Sequence, residues 1–151
     1  MDLKAAYAFD ATAARVWDVL MDPSAIAACL PGCRELRPLG DDRFEADLVV
    51  GVAAVSGVFK MAIAVEDKTP ATSYRLVVEG AGRPGFVRGR AQVSLQPEGG
   101  RTSVVIVADA EVGGLIARVG QRLLEGVARM TMDQFYACLS ERVRAESTAI
   151  F

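Results

Sequence analysis

The sequence predicts an α+β fold in which a curved antiparallel sheet of about seven strands wraps around a long C-terminal helix, with two short helices after the first strand. Three observations predict it. Between Arg43 and Val112, apolar residues recur at every second position in successive runs separated by short turn signals. From Leu115 to about Glu146 there is no proline, and the apolar spacing lengthens to that of a helix. Ahead of the sheet, one strand-like segment leads into two short helical ones. The 151 residues are enough for one domain of ordinary size, assigned to residues 1–151.

The elements follow in order. Residues 3–9 alternate loosely and read as a first strand. Asp10 or Thr12 caps the next segment, "ATAARVWDVLMD", where Ala14, Val16, Trp17, Leu20 and Met21 form a helical stripe. Asp22-Pro23 stops that helix, and Pro23 starts another at its first turn. "SAIAACL" is the short second helix, ending at Leu30 before Pro31.

Period two then takes over. Phe44, Ala46, Leu48, Val50 and Val52 alternate with Arg43, Glu45, Asp47, Val49 and Gly51. Phe59, Met61, Ile63 and Val65 form the next apolar face, followed by Tyr74, Leu76 and Val78. Val87, Gly89, Ala91, Val93 and Leu95 oppose Phe86, Arg88, Arg90, Gln92 and Ser94, and "QPEGG" turns into "RTSVVIVADAEV". Short turns between such runs indicate an antiparallel meander with one buried face, which something must cover. Gly51, Gly57, Gly80, Gly82, Gly85 and Gly89 allow the sheet to bend sharply or simply relieve crowding. The cover is the last segment. Ile116, Val119, Leu123, Val127 and Met130 lie on one stripe; Ala128, Met132, Phe135, Leu139 and Val143 continue on a drifting one. As one helix it is roughly 45 Å long. Its phase against the sheet is open, because a shift of one residue moves every inward position.

Composition excludes several functions. Net charge is -2 and the chain is not basic, which argues against a nucleic-acid binder. No run is long and apolar enough for a transmembrane helix, and "MDLKAAYAFD" lacks the apolar core of an export signal, so a cytoplasmic location is expected. Histidine is absent. That removes Ser-His-Asp and Cys-His catalysis and His-ligated metals.

The stretch "CLPGC" places Cys29 and Cys33 around Leu30-Pro31-Gly32. Pro31 prevents a continuous helix that would set both thiols on one face. Pro followed by Gly is instead a type II turn signature, with Gly32 supplying the positive φ. The favoured reading is two small residues at a helix-to-strand corner. Neither a metal site nor a disulfide framework is expected from three cysteines in an intracellular chain.

"CLPGC" after a short helix, with "VGG" at Val112 opening the last segment, resembles the carbon monoxide dehydrogenase G-subunit family of the START-like (SRPBCC) helix-grip superfamily. "FDATAARVWDVLMDP", "DDRFEADLVVGVAAVSGVFKMAIAVED", "YRLVVEGAGRPGFVRGRAQVSL" and "DAEVGGLIARVGQRLL" carry the resemblance along nearly the whole chain. It implies a helix-grip fold with a hydrophobic cavity under the long helix. It also implies an accessory, non-catalytic role beside a molybdenum hydroxylase. The expected ligand is lipophilic, a quinone or lipid, and no cofactor is covalently bound. The resemblance further implies recruitment of the enzyme to the inner face of the membrane or electron delivery. Many members carry an extended tail with a membrane-seeking end. This chain stops at "AESTAIF", and Ile150 and Phe151 offer too little apolar surface for a stable anchor.

On this fold the cavity lining is expected from inward strand positions and the inward helix stripe: Phe59, Met61, Ile63, Tyr74, Leu76, Val78, Val87, Val93, Leu123, Val127, Met130 and Phe135. Taken singly, each reads first as plain core; it is the set, on this fold, that argues for a cavity. Gln121, Thr131, Gln134 and Tyr136 are the polar groups on the long helix, and one facing inward would hydrogen-bond a quinone carbonyl. Arg83, Arg88 and Arg90 form a basic cluster that reads first as a solvated sheet face. Trp17 belongs where the first helix meets the sheet.

Three functions compete. The first is a ligand-binding adaptor docking on molybdenum hydroxylase subunits, with peripheral membrane contact and a homodimer among its partners and no nucleic acid. The second is a cyclase, dehydratase or hydrolase using Tyr74, Asp109 or Glu111. The third is an assembly factor with a filled core and an exposed apolar patch.

Overall fold

The computed structural model describes the backbone of residues 1–51 and 56–149, with side chains up to Ala145. Strand position Val52 and the terminal Ile150 and Phe151 lie outside the described residues. The chain runs β1 (Asp2–Phe9), α1 (Ala13–Leu20), α2 (Pro23–Cys29), β2 (Cys33–Gly40), β3 (Arg43–Val50), β4 (Gly57–Thr69), β5 (Ser73–Gly82), β6 (Gly85–Glu98) and β7 (Arg101–Gly113). A short 3-10 helix (Leu115–Val119) then leads into α3 (Gln121–Ala149).

The seven strands form one antiparallel sheet in the order β1-β7-β6-β5-β4-β3-β2. Register keeps like faces together. Phe44 sits opposite Ile63, Ile63 opposite Val78, Tyr74 opposite Val93, and Val93 opposite Ile106. The period-two pattern therefore adds up across the sheet to one continuous apolar face. The strand not separately identified from sequence is β2. It carries Pro38 and the charged residues Arg34, Glu35 and Arg37, as suits an edge strand with only one ladder to satisfy.

The two short helices begin where their caps dictate. Thr12 accepts from the Arg15 amide at 3.4 Å and caps α1. Asp22 accepts from the Ser24 amide at 3.0 Å, with Pro23 at the first helical position of α2. The Leu30-Pro31-Gly32-Cys33 corner is closed by the Cys33 amide donating to Leu30 O at 3.1 Å. Gly32 has φ 76°, and a Cβ there would meet Val49 O, so the turn and its contact with β3 both need glycine.

The cysteine reading is corrected. Cys29 at the end of α2 is joined to Cys138 of α3 across a sequence separation of 109, with Cα atoms 5.4 Å apart. Cys33, at the start of β2, is a free thiol. The sequence gives no sign that the second short helix lies on the last one, so this pairing could not be read from spacing.

The long helix is also corrected. It does not run unbroken from Leu115. Gly120, at φ 97°, separates the 3-10 segment from α3. Met132, Phe135, Leu139 and Val143 face the main core beside Phe9, Val16, Val93 and Val104, as the later stripe predicts. The earlier stripe holds only in part: Ile116, Val119 and Val127 pack inward. Leu123 and Met130 are 37% and 42% exposed. The break at Gly120 shifts the phase, so Leu123 and Met130, counted forward from Ile116, end on the outer side. A second, smaller cluster joins Phe59 and Ile116 with Leu48, Val87, Val112, Leu124 and Val127.

Candidate functional site

Between the two short helices and the strands β2 to β5 lies a cavity of about 310 Å³. Its walls follow from amphipathic elements meeting at an angle. Leu20 and Met21 end α1; Pro23, Ile26 and Leu30 come from α2 and its exit. Leu36, Phe44 and Leu48 come from β2 and β3. Met61, Ile63, Val65, Tyr74, Leu76 and Val78 are inward positions of β4 and β5. Phe135 and Tyr136 of α3 complete it. The lining is predominantly apolar, as small-molecule sites are.

Its only charged lining residues, among those described, are Asp42 and Lys68, which pair at 2.7 Å. Asp42 lies in the β2–β3 turn and Lys68 near the end of β4, both partly exposed. They neutralise one another at the rim.

Inside, the polar groups are two phenols. Tyr74 and Tyr136 are 4% and 6% exposed. Trp17 meets the Tyr74 ring edge-on, with centroids 5.7 Å apart. Tyr136 stacks on Tyr7 at 4.4 Å and meets Phe9 and Phe135 edge-on. These ring contacts fix both orientations. Burial pushes both phenols well above the ordinary tyrosine range, and Tyr136 is raised further by Tyr74 and Tyr7. Neither hydroxyl is bonded to a described residue, and neither oxygen is sealed from accessible space. Tyr7 differs: its hydroxyl donates to Asp133 at 2.7 Å.

Six of the twelve residues expected from sequence meet in this cavity: Met61, Ile63, Tyr74, Leu76, Val78 and Phe135. The others lie elsewhere. Val93 is closed into the main core. Phe59, Val87 and Val127 belong to the second cluster, nearer the 3-10 segment. Leu123 and Met130 reach the surface. Sequence reasoning missed the contribution of α2 and the β2–β3 edge. The signal was present in "SAIAACL", whose Ile26 and Leu30 recur at helical spacing and needed a partner face.

The other candidates stand apart. Asp109 and Glu111 are exposed and do not line the cavity; they sit opposite Arg90 and Arg88 across the β6–β7 ladder. The Arg88 guanidinium lies 5.1 Å over the Phe86 ring on the outer side of the sheet. Thr131 donates back to Val127 O at 2.9 Å, and Gln121 to Glu125 at 3.0 Å. Among the described residues there is no cluster of His, Cys, Asp and Glu able to hold a metal, and no helix long and apolar enough to cross a membrane.

The chain is similar to known proteins over nearly its full length. The family model for CoxG, the G subunit of carbon monoxide dehydrogenase, matches residues 7–144. A conserved protein from Geobacillus kaustophilus superposes with a TM-score of 0.93 at 36% identity, covering 96% of each chain. A START superfamily protein from Mycobacterium smegmatis superposes at 0.74 with 15% identity, covering 95% of this chain and 97% of that one. The protein TTHA0849 from Thermus thermophilus reaches 0.73 with 18% identity, covering 97% and 99%. These likenesses identify the architecture as the START-like helix-grip fold. No match was found among curated proteins.

Proposed function

Because the chain belongs to the CoxG family of carbon monoxide dehydrogenase G subunits, we propose that it is a non-catalytic accessory protein that carries a lipophilic ligand to or from a molybdenum hydroxylase of the carbon monoxide dehydrogenase type. The observation that carries this reading is the apolar cavity between α2, α3 and the sheet. Among the described residues, its interior holds two protonated phenols and no carboxylate, while the two charged lining residues, Asp42 and Lys68, neutralise each other at the rim. Such a surface binds an apolar molecule by removing it from water, and its described interior lining supplies no carboxylate to act as a base. Asp109 and Glu111, the acids an enzymatic reading needs, are exposed to solvent.

The ligand proposed is a quinone or another lipid with a compact headgroup. At about 310 Å³ the cavity is at the small end of ligand sites, which span about 300–1,000 Å³. A ring-sized headgroup fits these dimensions; a long chain attached to it would extend past the rim. A carrier of this kind works between the hydroxylase and the inner face of the membrane, by peripheral contact.

Native mass spectrometry followed by organic extraction, on protein purified from a quinone-containing host, tests the proposal. A quinone or lipid near one per chain is the expected result. Protein that emerges empty and takes up no added quinone overturns the carrier role.

A further inference from the structure

The cavity contains two hydroxyl groups that the fold itself leaves unused. Tyr74 and Tyr136 line it from different elements, one on β5 and one on α3, near enough for their charges to interact. Both are more than nine-tenths buried, and neither donates to any described residue. Their rings are held by Trp17, Tyr7, Phe9 and Phe135, so their directions are set before a ligand enters. A phenol in an apolar wall without a partner is costly, and phenylalanine would fill either place at lower cost to the fold.

We infer that Tyr74 and Tyr136 together form a hydrogen-bond donor pair that selects a neutral ligand bearing a carbonyl oxygen. This rests on the ligand-carrying role proposed above and names the chemistry its ligand must have. A carbonyl oxygen has two lone pairs and no proton, so it accepts from both hydroxyls at once. A carboxylate or phosphate is disfavoured, because Lys68, the one lysine among the described lining residues, is already paired with Asp42. A pure hydrocarbon leaves both donors unsatisfied. The recognised class is therefore an apolar ring or chain with a ketone-like or quinone-like oxygen at its inner end.

The test compares 1-tetralone with tetralin, rings of the same size that differ in one carbonyl, by calorimetric titration. The chains are wild type, Tyr74→Phe, Tyr136→Phe and the double variant. The ratio of tetralone to tetralin affinity is expected to fall about tenfold in the double variant, while tetralin binding holds or strengthens. Carbonyl-labelled tetralone bound to the unmodified protein supplies a readout independent of any variant: its carbon resonance should shift as in a hydrogen-bonded ketone. An unchanged affinity ratio, or a bound resonance matching that in hydrocarbon solvent, overturns the donor-pair assignment while the cavity stands. Failure of the wild-type protein to bind either probe overturns the cavity reading and this assignment with it.

Discussion

Ile63 and Leu123 show how far a single position depends on which side of its element it occupies. Both are aliphatic and both were expected to line the cavity. Ile63 does, from the inward face of β4, whereas Leu123 is on the outer side of α3. Enlarging them therefore separates ligand binding from stability. Ile63→Phe pushes its extra volume into the cavity and should weaken tetralin binding at least about tenfold, by steric exclusion. Because space is available beside it, the fold should change by less than about 1.5 kcal/mol. Leu123→Phe should leave binding untouched and stability within about 0.5 kcal/mol. Titration calorimetry and denaturant midpoints on both variants check this; equal effects on binding would place the ligand elsewhere.

At the scale of elements, α2 is the piece on which the site depends most. It is one of the shortest elements, only seven residues, yet it supplies Pro23 and Ile26 to the cavity wall, and Leu30 follows at its exit. A helix this short has little stability of its own. It is held by the Asp22 cap, by the Gly32 corner against Val49, and by the covalent link from Cys29 to Cys138. A bridge closing more than a hundred residues restricts the unfolded chain strongly. Removing it, by reduction or as Cys29→Ala with Cys138→Ala, should cost about 2–4 kcal/mol. Denaturant unfolding with and without a dithiol reductant measures the loss. An unchanged midpoint would mean that α2 is held by packing alone. The same comparison made on tetralin affinity shows whether α2 keeps the cavity closed.

Across the whole molecule, the tyrosines connect the site to the stability of the fold. All three in the sequence lie together, Tyr7 stacked on Tyr136 and Tyr74 lining the same cavity as Tyr136. Each is raised in the folded state, mainly by burial; Tyr7 is pushed up to about 12, with Asp133 adding to the shift. A raised value means that the fold holds the proton more tightly than the unfolded chain does. Their contribution is therefore complete below the ordinary value of 10.0; that of Tyr7 is lost as pH rises through about 12, and those of Tyr74 and Tyr136 persist to still higher pH. Phenolate absorbance and loss of helical signal should rise together in alkali for Tyr74 and Tyr136. Phenolate formation well before unfolding would show that their hydroxyls reach bulk water freely.

The class of fold, the antiparallel order of most strands, Thr12 as one of two cap candidates for α1, the start of α2 at Pro23, the Pro31-Gly32 turn and the inward faces of β4 and β5 were all legible in the residues alone. All of these are local: they follow from period two, from capping chemistry or from a residue that alone tolerates a given φ. The family likeness was legible too, and the match over residues 7–144 bears it out. Three-dimensional packing was needed to tell which apolar residues enclose space and which fill it. Val93 and Leu76 look alike in sequence, but one is sealed in the main core while the other faces the cavity. The phase of α3 was set by the break at Gly120, the partner of Cys29 by helix docking across 109 residues, and the meeting of Tyr74 with Tyr136 by the curl of the sheet toward the helix. One cause underlies all three. Periodicity fixes which side of an element is apolar, but a cavity forms where two such sides diverge, and divergence belongs to the packing of whole elements rather than to any one of them.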